Sequence, residues 1–310
     1  MSDGLDGADL IAVICGPTGA GKSTLAIALA ERLGRAIIVA DSRQVYRRFD
    51  IGTAKPSAAE RRRVRHHGFD LADPTERYSA AQWVSEAEGH LAAGLASAAI
   101  PIIVGGTGMY LRALFDGLFA EPVVDDDRRR ALLDWLDGQT TERLRAWVVE
   151  LDPPRAALGR TQLLRAVEVA MLTGQRISRL HETHATPPRW RARYLVIDPG
   201  ETLPARIARR FDAMIDDGWL DEVRALRGVV PDNAPAWKST GYRALRDVVD
   251  GTMSLTDARE RILIETRQYA KRQRTWFRHQ LPDERTTRLN PESPDAAALV
   301  DAWWHAAESP

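Results

Sequence analysis

An α/β fold built on a doubly wound parallel sheet, with a helical insertion, is predicted by three observations. Short apolar runs alternate with helical segments through the first 110 residues. Glycine-rich turns follow two of those runs directly. After about residue 120 the strand-like runs stop, and they resume only near residue 190. Strand, helix, strand, helix, strand in that order is the signature of such a sheet.

The elements follow in chain order. Leu10–Cys15 (LIAVIC) is a short apolar run between acidic residues and glycines, and reads as a buried strand. Residues 16–21 form a glycine-rich turn. Ser23–Leu33 has helical spacing through Leu25, Ile27, Leu29 and Leu33. Ala36–Ala40 is a second strand, ending in Asp41 and Ser42. Residues 53–77 read as polar and irregular. Ala80–Ala99 is an alanine-rich helix, and Pro101–Val104 is a strand followed by Gly105, Gly106, Thr107 and Gly108. From 121 to 189 the chain is rich in Arg, Leu, Ala, Glu and Trp with helical spacing, so this stretch reads as a helical insertion domain. The core then comprises 1–120 and 190–310. Tyr194–Asp198 is a strand, and Leu203–Leu226, Tyr242–Val249 and Leu255–Arg278 are helical. The last twenty residues, with Pro291, Pro294 and Pro310, read as a loosely attached tail ending in a Trp303-Trp304 helix.

Composition bounds the function. The chain has 310 residues, 44% hydrophobic and 28% charged, which is ordinary for a globular protein able to bury a core. Formal net charge is zero, so a nucleic-acid partner requires a local basic face. The single cysteine, Cys15, excludes an intramolecular disulfide framework and a Cys-rich metal site, and suits a reducing cytoplasm. At the end of an apolar run it reads as a buried structural thiol. The first nine residues lack the basic and apolar regions of a signal peptide, and no apolar run approaches the roughly 18 residues of a membrane span.

Gly16-Pro17-Thr18-Gly19-Ala20-Gly21-Lys22-Ser23 matches G-x-x-x-x-G-K-[ST] between a predicted strand and a predicted helix, the context that marks a phosphate-binding P-loop. Its glycines allow backbone N–H groups to point at phosphate oxygens, and the helix N-terminus adds a favourable dipole. Lys22 is placed for a bridging or terminal phosphate, and the Ser23 hydroxyl for Mg²⁺. ATP, GTP or another diphosphate satisfies the motif equally. Asp41 ends the second strand at the carboxyl edge, where ligands bind in open parallel sheets. It reads as a turn carboxylate, an outer-shell Mg²⁺ carboxylate or a general base. The loop 105–108 reaches the same edge, and three converging polar loops suggest an active site. His66 and His67 lie in a polar stretch that is structural or catalytic. Two basic runs stand out, Arg61-Arg62-Arg63 with Arg65, and Arg259–Arg278 with Tyr269, Trp276 and Phe277 interleaved. The second suits phosphate contacts and base stacking, or equally a solvated helix with an aromatic core face.

Taken together, GPTGAGKST at 16–24, DSRQVYRRFDIGTAKP at 41–56, IVGGTGMYLRAL at 103–114, RAVEVAMLTGQRIS at 165–178 and TRQYAKRQRTWFR at 266–278 resemble the tRNA dimethylallyltransferase (tRNA isopentenyltransferase) family. RHHGFD at 65–70, YSAAQW at 78–83 and TGYRAL at 240–245 add lesser matches. The stretches occur in family order over nearly the whole chain.

The resemblance implies a P-loop NTPase-like core and a prenyl transfer. The N6 amine of the adenine just 3′ of the anticodon attacks dimethylallyl diphosphate, and pyrophosphate leaves. Asp41 matches the family's base, and Thr18 and Thr107 match positions near the reacting groups. The P-loop residues with Arg210 would hold the diphosphate, with Mg²⁺ on Ser23. Asp41, Ser42, Arg43 and Gln44 match the loop that reads the flipped adenine. The insertion resembles the family's clamp on the anticodon stem-loop, with Arg129, Thr161, Gln162, Leu163, Leu164 and Arg165 at tRNA-contacting positions. The resemblance further implies a cytoplasmic monomer. The chain departs from the family at Leu158, Gly159 and Gln162, where an Asn-Asp pair and an Arg are usual, with Arg160 as a candidate substitute for the Arg. An adenylate prenyltransferase, a small-metabolite kinase and a non-catalytic tRNA-binding module are the competing readings. The insertion and the Arg259–Arg278 stretch disfavour the first. The second requires ATP turnover, and the intact P-loop with Asp41 disfavours the third.

Overall fold

The computed structural model describes residues 10–117, 125–183 and 189–306. Contacts divide the chain into two compact units. One comprises Met1–Phe115 with Trp190–Pro310, and the other Asp116–Arg189.

The first unit is built on six parallel strands: β1 (Ile11–Cys15), β2 (Ile37–Ala40), β3 (His66–His67), β4 (Ile102–Gly105), β5 (Ala192–Ile197) and β6 (Thr286–Leu289), in the order β3-β2-β4-β1-β5-β6. Parallel strands covered on both faces become continuous apolar runs, which is why IAVIC and IIVG are buried at every residue. Alternation still sorts the two faces. Ile11, Val13 and Cys15 join one apolar cluster, and Ala12 and Ile14 join the other. Register aligns Cys15 with Gly105 and with Val196, and Ala40 with Gly105. The loops leaving β1, β2 and β4 therefore start in one row along the carboxyl edge.

Helices α1 (Lys22–Leu33), α2 (Ala58–Arg63), α3 (Ala80–Ala96) and α4 (Gly108–Phe115) belong to the first half of this unit. The stretch 53–77, read from sequence as irregular, contains α2 and β3. A reciprocal Ser57–Glu60 capping box starts α2, and two residues of β3 are too few to show alternation. Helices α5 (Asp126–Asp137), α6 (Thr141–Leu151), α7 (Arg160–Thr173) and α8 (Ile177–Thr183) form the second unit. Its core is Leu136, Leu144, Val148, Leu163, Ala166 and Val167. Asp152, fully buried, accepts from the Ser178 N–H and hydroxyl at 3.1 and 2.6 Å and so fixes the start of α8.

The first unit resumes with β5 and then α9 (Leu203–Asp216), α10 (Trp219–Leu226), α11 (Tyr242–Val249), α12 (Leu255–His279) and α13 (Ala296–His305). The single helical segment expected over 203–226 is two helices, because Gly218 takes φ +95° and starts α10 afresh. The end of the chain also corrects its sequence reading. Far from being loosely attached, α13 buries Val300, Trp303 and Trp304 in the same cluster as Leu289 of β6. Arg193 of β5, 8% exposed, donates to the carbonyls of Trp303 and Trp304, both at 2.6 Å. Its guanidinium stands 4.7 and 4.8 Å from the two rings, close enough for cation–π attraction. Prolines suggested a tail; a buried cation holds it in place. Among the described residues no helix is long and apolar enough to cross a membrane.

Candidate active site

The P-loop links β1 to α1. Gly21, at φ +95°, occupies the N-cap of α1 in a left-handed conformation that a side chain rarely adopts, and this delivers Lys22 at the first turn. Lys22 Nζ curls back to the Pro17 carbonyl at 2.8 Å. Thr18 is held from two sides. Its N–H donates to Gln273 Oε1 at 2.8 Å, and its Oγ1 accepts from Arg210 Nη1 at 2.9 Å. Gln273 Nε2 in turn donates to the Gly106 carbonyl at 2.8 Å. One buried amide on α12 thus ties the P-loop to the loop after β4, and a Cβ at Gly106 would run into that amide.

The loop after β2 joins the same edge. Asp41 Oδ1 accepts the Arg43 N–H at 2.8 Å, so the turn-carboxylate role is real and leaves Oδ2 for a ligand. Ser42 N–H donates to Thr107 Oγ1 at 3.0 Å, and Thr107 N–H to the Ala40 carbonyl at 3.1 Å. Gln44 spends both amide protons on the Thr53 and Ala54 carbonyls, at 3.1 and 3.0 Å. Its side chain positions the 53–54 backbone.

A cavity at this edge is lined by Thr18, Lys22, Ser23, Asp41, Gln44, Gly105, Gly106, Arg210, Tyr269 and Gln273. A second, more apolar cavity shares Thr18, Asp41, Arg210 and Tyr269 with it, and adds Ile207, Phe211, Met214, Trp219 and Ile262. A cationic groove runs outside the P-loop past Lys22, Ser23, Arg206, Arg209 and Arg210. Burial, together with the neighbouring Arg210 charge, pulls Lys22 down to about 8 against the opposing pull of Asp41. Burial also lowers Arg210. Two desolvated cations side by side suit an anion. Burial pushes the Cys15 thiol up to about 12, as befits an inert core residue.

These residues can hold a hydrated Mg²⁺. No group of three or more His, Cys, Asp and Glu with metal-binding arrangement occurs among the described residues. Mg²⁺ needs no such group where substrate phosphates and waters complete its shell. The Ser23 hydroxyl lines the cavity as an oxygen donor, with the Asp41 carboxylate lining the same cavity.

The two histidines face opposite ways from β3. His66 lines the first cavity with Nδ1 2.7 Å from the Val64 carbonyl, and His67 stacks on His90 at 3.8 Å. In the Arg259–Arg278 stretch several charges are paired within the protein: Arg259 with Asp212, Arg261 with Glu265, and Arg274 with Asp198. Phe277 is in the core. Sequence reading named Tyr269 only as one of the interleaved aromatics and overlooked Gln273. The available signal was their i, i+4 spacing, which places both on one face of α12.

In the helical unit Thr161 and Gln162 are exposed and Leu164 and Arg165 half-buried, but Leu163 is fully buried in the core. The Leu163 side chain therefore has no surface to offer tRNA, a correction to its sequence assignment. Arg129 and Arg165 both pair with Glu168, each at 2.7 Å. Arg160, the candidate substitute for the missing arginine, also has a structural role. It donates to the Gln139 and Asp137 carbonyls, at 2.6 and 3.0 Å, at the end of α5.

Comparison with known proteins agrees with this geometry. The IPP transferase family model matches residues 44–280, and the isopentenyl transferase model residues 10–68. A tRNA dimethylallyltransferase from Geobacter metallireducens is 42% identical over 86% of this chain and 89% of its own. One from Maricaulis maris is 43% identical with the same coverage. Among solved structures, a tRNA isopentenylpyrophosphate transferase from Bacillus halodurans superposes with TM-score 0.68 and 29% identity, covering 97% of this chain and 96% of that one. A eukaryotic dimethylallyltransferase acting on tRNA gives TM-score 0.76 and 28% identity over 95% and 78%. This chain belongs to the IPP transferase family, that of the tRNA dimethylallyltransferases.

Proposed function

We propose that this enzyme transfers a dimethylallyl group from dimethylallyl diphosphate to N6 of the adenine 3′ of the anticodon, at tRNA position 37, releasing pyrophosphate. The observation that carries the reading is the convergence of Thr18, Lys22, Asp41 and Arg210 on one cavity. Lys22, Arg210 and the P-loop amides bind the diphosphate and take up charge as it departs. Mg²⁺ on Ser23, when bound, supplies further neutralisation of the diphosphate. Asp41, steadied by the Arg43 N–H, accepts the N6 proton through its second oxygen as the new C–N bond forms. Thr107, accepting the Ser42 N–H, braces the loop that carries Asp41. The apolar cavity lined by Ile207, Phe211 and Met214 suits the hydrocarbon tail. A base inside an RNA stack has to be extruded to reach such a site, at about a few kcal/mol.

The helical unit is assigned the grip on the anticodon stem-loop, with Thr161, Gln162, Leu164, Arg165 and Arg129 as the residues to test. The enzyme is assigned to the cytoplasm as a monomer, which sedimentation of the purified protein checks. The function is tested by incubating labelled dimethylallyl diphosphate with unmodified tRNA and with AMP. Label in tRNA alone supports the reading. Label in AMP alone, or ATP turnover without transfer, refutes it.

A further inference from the structure

Tyr269 is the cavity residue left without a task. It lines both cavities at the point where they meet, together with Thr18, Asp41 and Arg210. Its hydroxyl shares a side-chain hydrogen bond with Thr107 and faces the charges of Asp41 and Arg43, and Arg272 stands 5.8 Å from its ring centroid. Gln44 has spent both amide protons on the Thr53 and Ala54 carbonyls and Gln273 one on Gly106, while Lys22 and Arg210 are assigned to the diphosphate. Thr107 Oγ1 accepts the Ser42 N–H and its own hydroxyl proton serves the Tyr269 oxygen, which leaves the phenol proton to donate elsewhere. Burial pushes the phenol up to about 12, so at neutral pH it holds its proton and acts as a donor.

The acceptor supplies the complement. Along its Watson–Crick edge adenine places a donor, N6–H, next to an acceptor, N1. A carboxylate beside a neutral hydroxyl matches that pair in order. We propose that Tyr269 is a specificity-determining residue that reads the acceptor base, its O–H donating to N1 while Asp41 takes the N6–H. The proposal rests on adenine N6 as the acceptor. During transfer the N6–carbon bond forms and the carbon–oxygen bond to the diphosphate breaks. The electron pair leaves on the diphosphate, and the N6 proton passes to Asp41. The phenol proton stays on Tyr269, so its role is recognition. Guanine offers N1–H and O6 at the same two places and meets a donor with a donor and a carboxylate with a carbonyl, which excludes it.

The test is a two-by-two comparison of kcat/KM, wild type against Tyr269→Phe. The acceptor is an anticodon stem-loop carrying adenosine, or 1-deazaadenosine, at the reactive position. Removing N1 also alters the reactivity of N6, but that effect is common to both enzymes and cancels. The expected result is non-additive. The variant loses about tenfold on adenosine, the base change costs wild type about tenfold more than it costs the variant, and the doubly altered pair shows little further loss. Equal penalties for the base change in both enzymes overturn the proposal and leave the donor role to Arg43. No penalty in wild type also overturns it. A merely structural tyrosine lowers both acceptors alike and fails the same comparison. If the prenyl-transfer reading itself is wrong, wild type leaves the adenosine stem-loop unlabelled, a distinct outcome.

Discussion

The two units of this molecule spend their charged residues differently. At the sheet edge the cations lean on neutral partners: Lys22 on a carbonyl and Arg210 on a hydroxyl. Neither makes a carboxylate ion pair among the described residues, although Asp41 acts on both from across the cavity, and their charge is available to a diphosphate. In the helical unit Arg129 and Arg165 share the carboxylate of Glu168, which is only 5% exposed, and Arg160 closes the end of α5. There the charge is largely consumed in holding helices together. Catalysis of charge transfer needs concentrated, poorly solvated charge. Gripping RNA by shape needs rigid helices and only a few free cations. A zero formal net charge is compatible with both.

The sharpest break of this comparison is Asp41→Asn. The amide keeps its size and can still accept the Arg43 N–H, but takes no proton. Single-turnover transfer is expected to fall by roughly 10²–10⁴, with tRNA and donor affinities little changed. A defect in donor binding that high Mg²⁺ relieves would mark Asp41 as an outer-shell metal carboxylate instead. A loss confined to melting temperature would mark it as a turn residue.

Lys22→Ala comes next. Donor binding and transfer should weaken while filter-binding affinity for tRNA stays near wild type. Equal loss of tRNA affinity in a folded variant would contradict the assignment. The wild-type lysine makes a pH prediction as well. Its pKa in the free enzyme is about 8, so the charged form dominates below that value. Donor affinity should decline as pH rises through about 8, and the inflection should vanish in the alanine variant. Titrating donor binding from pH 6.5 to 9.5 checks both statements.

How far the sequence reveals these units differs for the same reason. The P-loop, Asp41 and Thr107 were legible because backbone geometry fixes residue type there: glycines in a phosphate turn, polar residues immediately after apolar strands. Gln273 was obscured, and Tyr269 seen only as one aromatic of three, because both reach the site from α12, more than 160 residues beyond Thr107, inside a stretch whose arginines dominate any reading of charge. In the helical unit the Thr161–Arg165 run was visible as a family segment. Arg165 and Glu168 stand at i, i+3 on α7, a pair that spacing allows, but that Leu163 points inward and Arg129 of α5 reaches Glu168 depends on how α5, α6 and α7 pack. The tail misled in the opposite direction. Prolines argued for looseness, while the Arg193 anchor lies about 110 residues away in β5.

Glu168→Ala tests whether charge in the helical unit is structural. It removes one ion pair each from Arg129 and Arg165, which are 34% and 26% exposed at their side chains. Partial solvation discounts the loss from the several kcal/mol of a fully buried pair to about 1–3 kcal/mol, read by urea denaturation. An unchanged unfolding midpoint would mean that Glu168 contributes nothing to holding α5 and α7.

The smallest effect expected is that of Gln162→Arg, and it addresses the unit's RNA face directly. Gln162 is exposed in the first turn of α7, where it replaces the arginine usual in the family. The α7 cap, Gly159, makes no side-chain bond, so a new cation there disturbs no capping interaction, although it meets an unfavourable helix dipole worth about 0.3–1 kcal/mol. Stability should therefore drop slightly. If the segment faces RNA, one added phosphate contact raises the slope of log K against log salt by about 0.7 for single-stranded RNA, and binding at low salt tightens accordingly. The opposite signs of the two effects make the experiment decisive. A small loss of stability with a steeper salt slope places this turn against RNA, and the same loss with an unaltered slope removes it from the interface.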